Sequence, residues 1–412
     1  MTRRDIVRAD VEPRRMTASP RVARADVWLG ALSMLVTLPW LTACGGLPSA
    51  NPVDWFASDN RPKPAPLPEI STPATLKLLW QANVGSGKGY AFAPAVTRQR
   101  VIAAARDGTV AAFDPVSGKS LWRVNAGTAL SGGTGADDTT VAVGSPEGEV
   151  VVLEADRGTL RWRARVSSEV LAAPVIVDDL VIVRATDSRI FALDLRDGKR
   201  RWVYQRTAPS LSVRSAVGMV AGRGHVFAGF AGGKLVAISL GNGGARWEGT
   251  VSLPKGATEL ERVTDVVGLP WLSDREICAV AYQGRIACFN IANGNQIWAR
   301  DLSSSTGLSA DSRFVFVTDD KGSVQGMDRA GGGSVWRNDR LLRRDLTAPL
   351  AVGRHVVLGD VQGFMHVLSR ETGAVVGRAT TDGSPIVTQP VLLGAALLLQ
   401  TTNGGLYAYS VE

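Results

Sequence analysis

The chain has 412 residues, 45% of them apolar and 20% charged, with a formal charge of +8. That composition excludes a multi-spanning membrane protein and a disordered chain, and the length implies two or three ordinary domains or one large repetitive one. Seven of the 46 basic and four of the 38 acidic residues lie in residues 1–43, so the remainder carries +5 with no clustered basic stripe, which excludes a nucleic-acid footprint.

Residues 1–26 are Arg-rich, and residues 27–41, VWLGALSMLVTLPWL, form an apolar run of 15. A membrane span needs ~20 such residues, so the run reads as the apolar part of a signal peptide preceded by a positive segment. Either Met1 or Met16 can be its start. The run ends in Leu41-Thr42-Ala43-Cys44, which resembles the bacterial lipobox. The resemblance implies cleavage before Cys44, a thioether-linked diacylglycerol on its thiol and acylation of its new amino group. Residue 45 is Gly rather than Asp, which by the same resemblance implies the outer membrane. Residues 45–73 hold seven prolines and little apolar periodicity. They are expected to form an extended tether at ~3.1 Å per residue.

One pattern then recurs. DGTVAAFDPVSGKSLWR (107–123) is followed by EGEVVVLEADRGTLRWR (147–163), DSRIFALDLRDGKRRWV (187–203), GGKLVAISLGNGGARWE (232–248), QGRIACFNIANGNQIWA (283–299) and KGSVQGMDRAGGGSVWR (321–337). A seventh copy, 362–378, has Gly377 where Trp is expected, and an eighth begins at 403 and stops with the chain. Trp80, Trp122, Trp162, Trp202, Trp247, Trp298 and Trp336 are spaced by 42, 40, 40, 45, 51 and 38 residues. A period near 40 is the length of a four-stranded propeller blade. In each copy a turn doublet such as Asp107-Gly108 precedes an alternating segment, and a second Gly turn precedes the Trp strand. Two further β-branched segments lie upstream, as in PVIVDDLVIVRA (174–185). The 45 glycines suit such a turn-rich chain.

The fold expected is therefore all-β: an eight-bladed β-propeller of four-stranded antiparallel blades. ATLKLLWQANVG (74–85) carries Trp80 with no copy before it, and the eighth copy lacks its Trp strand. The N-terminal strand should complete the last blade and close the ring, which removes free sheet edges. The domains expected are a lipoprotein signal peptide (1–43), a Pro-rich tether (44–73) and the propeller (74–412). The tryptophans are expected to pack between blades rather than touch a ligand.

The repeat resembles that of the pyrroloquinoline-quinone dehydrogenases, and two families on it compete. The dehydrogenases are longer, carry a vicinal Cys pair beside the quinone and bind Ca²⁺. Here Cys44, Cys278 and Cys288 include no adjacent pair. The second family is that of the BamB lipoproteins of the machine that assembles β-barrels in the outer membrane. It is similar over the lipobox, the Pro-rich segment and all eight repeats. APSLSVRS (208–215) resembles its Pro-Ser-Leu-Ser-Leu-Arg loop, and TELERVTDVVGLP (258–270) resembles its Thr-Glu-Ile-Asp-Arg-Leu-Ser-Asp-Val-Asp loop. In that family these loops contact a POTRA domain of the barrel-forming partner BamA. The resemblance implies Leu211, Val213 and Arg214 as interface anchors and Asp265 as an acidic contact. Val213 replaces a Leu, and Val267 stands where the family has a second Asp. Read without the family, Leu211 and Val213 alternate like ordinary strand residues facing a core.

On this reading the protein is a non-enzymatic scaffold with no cofactor, lipid-anchored at the periplasmic face of the outer membrane. It would bind BamA, other subunits of the machine and nascent barrel proteins. The alternative is a quinone-dependent periplasmic dehydrogenase. Cys278 and Cys288 flank Gln283-Gly284 in ICAVAYQGRIAC. A three-residue turn centred on Gln283 would set them opposite each other, and a two-residue turn would point them to different faces. His225, His355 and His366 are expected on different blades, too scattered for a metal site. Arg343, Arg344 and Asp345 read as a solvated loop.

Overall fold

The turn doublets and the alternating segments between them fold into eight antiparallel sheets of four strands each. The computed structural model describes residues 63–412 apart from Thr72 and Ala208. The expected signal peptide, Cys44 and the first part of the Pro-rich segment lie outside the described residues. Blade 1 holds Ala95–Val96, Val101–Ala104, Thr109–Phe113 and Ser120–Asn125 in order from the axis outward. Blades 2 to 7 repeat that order, starting at Gly135, Val175, Met219, Val266, Leu308 and Leu350. Neighbouring innermost strands touch all the way round, blade 8 against blade 1 included, so the ring is closed. The second and third strands are buried along nearly their whole length, as in Val101–Ala104, because neighbouring blades cover both faces of each sheet. The outermost strands alternate, as in Leu160–Arg165, and bury one face only.

Blade 8 is built from both chain ends. Leu76–Asn83 pairs with Gly405–Val411 from Leu76↔Val411 to Asn83↔Gly405, with one register shift between Leu78 and Trp80. Strand order β-sheet by β-sheet fixes two faces. The turns between second and third strands and the blade-to-blade connections lie on one face, here called upper.

Each tryptophan of the repeat staples its blade to the next. The indole N–H donates to a turn carbonyl of the following blade, from Trp80 to Pro115, Trp122 to Ala155, Trp162 to Leu195, Trp202 to Leu240, Trp247 to Ile291, Trp298 to Arg329 and Trp336 to Arg370, at 2.7–2.9 Å. The ring lies flat on that turn's glycine. A Cβ on Gly332 would stand 2.4 Å from the Trp298 indole, and its φ of +68° is one that only glycine adopts freely. The seventh copy has no tryptophan because it has no receptor. The two outer strands of blade 8, Gly405–Val411 and Leu76–Asn83, are not consecutive in the chain, so no hairpin turn joins them to accept an indole. Leu76 occupies the space instead, 3.1 Å from a Cβ built on Gly377.

The Pro-rich segment is docked over its described part. Ala65 N–H donates to Leu342 O (3.0 Å), Arg344 Nη1 donates to Ala65 O (3.0 Å) and Arg378 Nη2 donates to Pro68 O (2.7 Å). Ile70 packs on the core between blades 6 and 7, and Ala74 N–H donates to Val376 O (2.7 Å). Residues 63–71 thus form a strap that descends from the upper face along blade 7, so the propeller body begins before residue 74. Arg344 is not in a solvated loop. It is 2% exposed and ion-paired at 2.7 Å with the fully buried Asp360, which also binds His366 Nε2 at 2.8 Å. Arg343 and Asp345 do face solvent. His355 and His366, expected on different blades, share blade 7 because they lie on its second and third strands.

Cys278 and Cys288 are directly opposite across blade 5, and their sulfurs are joined. The turn is the three-residue form, Tyr282 to Gly284, with Gln283 at φ +47°.

Candidate partner-binding face

The longest blade-to-blade connections crowd one sector of the upper face. Residues 206–218 leave blade 3 without regular structure, since Pro209 cannot donate to a ladder and the serines around Leu211 favour turns. Neither Leu211 nor Val213 belongs to a strand. Leu211 is 43% exposed. Val213 is half-buried because its N–H donates to Asp265 Oδ2 (2.5 Å). The second oxygen of Asp265 accepts from Gly232 N–H (3.3 Å). Asp265 is 4% exposed, so this residue, expected as an acidic contact, presents no carboxylate to solvent in this conformation. Its geometry is that of a clip holding the 206–218 loop to blade 5. Burial raises its pKa above the usual carboxylate range, against the lowering pull of the two amides and Arg184.

Arg214 projects outward. Its Nη2 donates to both oxygens of Glu169 at 2.7 Å, and its guanidinium stands 5.9 Å from the Tyr90 ring centre. The pairing with Glu169 raises its pKa. The structure therefore brings Leu211, Val213, Arg214 and Asp265 into one patch.

The second loop, 251–265, contributes apolar surface. Thr258 and Glu261 cap a single turn: Glu261 N–H donates to Thr258 Oγ1 (3.2 Å), and Glu261 Oε2 accepts from Ala257 and Thr258 N–H (2.8 and 3.2 Å). This is the reciprocal capping pattern of T-x-x-E. It lifts Leu260 into solvent, 71% exposed, with Leu253 at 59% on the same loop. Val267, where the resembling loop has an acid, is buried against blade 6, a place that would penalise a charge.

Beneath Val213 and Arg214 lies a cavity of about 260 Å³, bounded also by Arg184, Ser188, Ser215 and Asp265. Arg184 was not singled out from the sequence, although a signal existed. Four residues ahead of the turn glycine (Ser188 in blade 3), the other blades carry Ala104, Gly144, Gly229, Val280, Thr318, Gly359 and Gln400, none charged. Arg184 Nη1 donates to Gly229 O (2.6 Å), and its guanidinium lies 5.0 Å from the Phe230 ring centre. Burial pushes its pKa down to about 10, partly offset by Asp265. Among the described residues no group of three or more His, Cys, Asp or Glu is arranged to hold a metal ion.

An eight-bladed propeller of quinoprotein repeats, with its two longest connections crowded on one face, defines the class. The family profile described as outer membrane protein assembly factor BamB matches residues 72–126, 106–338 and 320–412. The chain belongs to that family. It is 42% identical to the outer membrane protein assembly factor BamB of Bordetella pertussis over 392 residues, 95% of this chain and 98% of that one. It is 41% identical to that of Burkholderia pseudomallei over 85% and 92% of the two chains. The crystal structure of BamB from Moraxella catarrhalis superposes with a TM-score of 0.76 at 28% identity, covering 82% of this chain and all of that one. A quinohemoprotein alcohol dehydrogenase from Comamonas testosteroni, at 14% identity and TM-score 0.65, shares the fold.

Proposed function

We propose that the chain is a non-enzymatic scaffold subunit of the outer-membrane β-barrel assembly machinery, docking the POTRA region of BamA through the 206–218 and 251–265 loops. Membership of the BamB family supports the assembly role. The observation that carries the docking site is the Asp265 clip, which holds the 206–218 loop so that Leu211 and Arg214 stand outward. An apolar side chain beside a multidentate cation is the composition of an interface hot spot. The capped turn adds Leu260 on the neighbouring loop.

Lipidation of Cys44 would hold the disc at the periplasmic face of the outer membrane. With residues 63–71 strapped to blade 7, residues 44–62 would remain as tether, with a reach of roughly 60 Å at ~3.1 Å per residue. The strap reaches the upper face beside Leu342, the face that carries the 206–218 and 251–265 loops. A rigid disc held there orients the POTRA arm and keeps nascent barrel proteins near their insertion site.

The test is binding of the purified POTRA array to the wild-type chain, Leu211→Ala and Arg214→Ala. Loss of binding in both variants, with unchanged melting, is the expected result. Equal binding by all three overturns the site assignment. Reduction of a dye by alcohols in the presence of pyrroloquinoline quinone would overturn the scaffold reading in favour of a dehydrogenase.

A further inference from the structure

In blades 2, 4 and 7 the second strand has a glycine at or next to its end, and the space above it is filled from the following connection or from the first residue of the next blade. Val170 lies 2.4 Å from a Cβ built on Gly144, Val266 lies 2.3 Å from one on Gly229, and Ile386 lies 2.3 Å from one on Gly359. Blade 3 departs from that scheme. The 206–218 loop arches over the strand end instead of plugging it, and Arg184 reaches across to the Gly229 carbonyl of blade 4. The 260 Å³ cavity is the volume left over.

Its largest unsatisfied capacity is in N–H donors. Arg184 has five N–H donors in its guanidinium, and it donates one hydrogen bond among the described residues. Ser215 Oγ, on the same cavity, is buried without a partner among them. The acid nearby, Asp265, accepts one backbone amide on each oxygen, and no hydrogen bond joins it to Arg184 among the described residues. Arg214 is already paired with Glu169 at the rim. Arg184 therefore has N–H donors to spare, and a carboxylate matches the planar fork of a guanidinium best. The cavity is smaller than the ~300–1,000 Å³ of small-molecule pockets, and its roof is the docking loop itself. That size and position suit one side chain entering from a docked protein.

We infer that the cavity between Arg184 and the 212–215 segment is the socket for an acidic side chain of the docking partner. Arg184 receives its carboxylate beneath the contact made by Leu211 and Arg214. This rests on the docking reading above and adds to it a polar anchor on blade 3. It also gives the Asp265 clip a second consequence, since the clip holds the roof of the socket open.

The test measures affinity of the POTRA array for the wild-type chain, Arg184→Gln and Leu211→Ala, at low and high salt. The expected result for Arg184→Gln is a roughly tenfold or greater loss of affinity and a weaker salt dependence. Wild-type affinity and salt dependence in Arg184→Gln, together with loss in Leu211→Ala, would overturn the socket and leave the docking reading standing. Equal affinity in all three would remove both. If Arg184→Gln does not fold, judged by circular dichroism, the wild-type chain decides the matter. Its Arg184 Nε–H resonance should shift on titration with a capped Gly-Glu-Gly peptide and not with capped Gly-Gln-Gly. No shift with the acidic peptide would overturn the socket.

Discussion

Val213 and Asp265 are 52 residues apart in sequence and 2.5 Å apart in space, joined from a backbone N–H to a carboxylate oxygen. The bond spans two blade-to-blade connections, so the shape of the 206–218 loop depends on a residue outside it. Asp265→Ala leaves the Val213 and Gly232 amides without their acceptor. An unpaired buried donor costs ~1–3 kcal/mol, and a drop in urea stability of that order is expected. Faster hydrogen exchange at residues 211–215 and weaker POTRA binding should accompany it, although the Asp265 carboxylate is itself buried.

The same carboxyl has a pH signature. Burial raises its folded pKa above the ordinary 3.8. The fold therefore retains this proton where the unfolded chain has lost it. The associated stabilisation is fully present below the ordinary pKa and is lost as pH rises through the raised one. Asp265→Asn should remove that loss, so the stability difference between Asn variant and wild type should grow in favour of the variant from about pH 4 upward. Urea midpoints across that range check it.

The tryptophan staples predict an asymmetry between blades. Gly332→Ala puts a methyl 2.4 Å from the Trp298 ring at φ +68°. The left-handed conformation and overpacking together should cost about 2–4 kcal/mol. Gly377→Trp restores the repeat's consensus, yet it should destabilise, because the indole meets Leu76 and finds no turn to receive it. A raised melting temperature for Gly377→Trp would contradict the account of the closing blade.

The strap hangs on buried charge. Arg344→Gln uncouples Asp360 from its cation, and breaking a buried pair costs ~3–5 kcal/mol. Faster proteolysis within residues 63–71 should accompany the loss. Burial lowers the pKa of His366 below the ordinary 6.5, despite its bond to Asp360. Its contribution is therefore full above the ordinary value and is lost as pH falls through the lowered one. His366→Gln should flatten the stability profile below about pH 6.5, which urea titrations will show.

Cys278 and Cys288 are both fully buried, so alkylation of the folded, unreduced protein should label neither. Cys278→Ser with Cys288→Ser should lower stability by about 2–3 kcal/mol, from the short loop they close, while leaving POTRA binding unchanged.

The number of blades, the closing strand and the packing role of the tryptophans were legible because each repeat signals its own turns and strands locally, and Gly377 marks the seam by omission. The two irregular connections were legible as insertions in the spacing of 45 and 51 residues. What no local pattern could state is what meets what across the ring. Asp265 looked like a surface acid, but its neighbours come from blades 3 and 4, and they enclose it. Arg344 looked like a solvated loop residue, but the strap closes over it from 279 residues away in sequence. Arg184 sits on an ordinary strand, and it became part of a site only because the connection above it left space unfilled. Periodicity alone determines an element and its repeat. Burial, charge pairing and empty volume arise where separate repeats pack, and only the tertiary structure decided them.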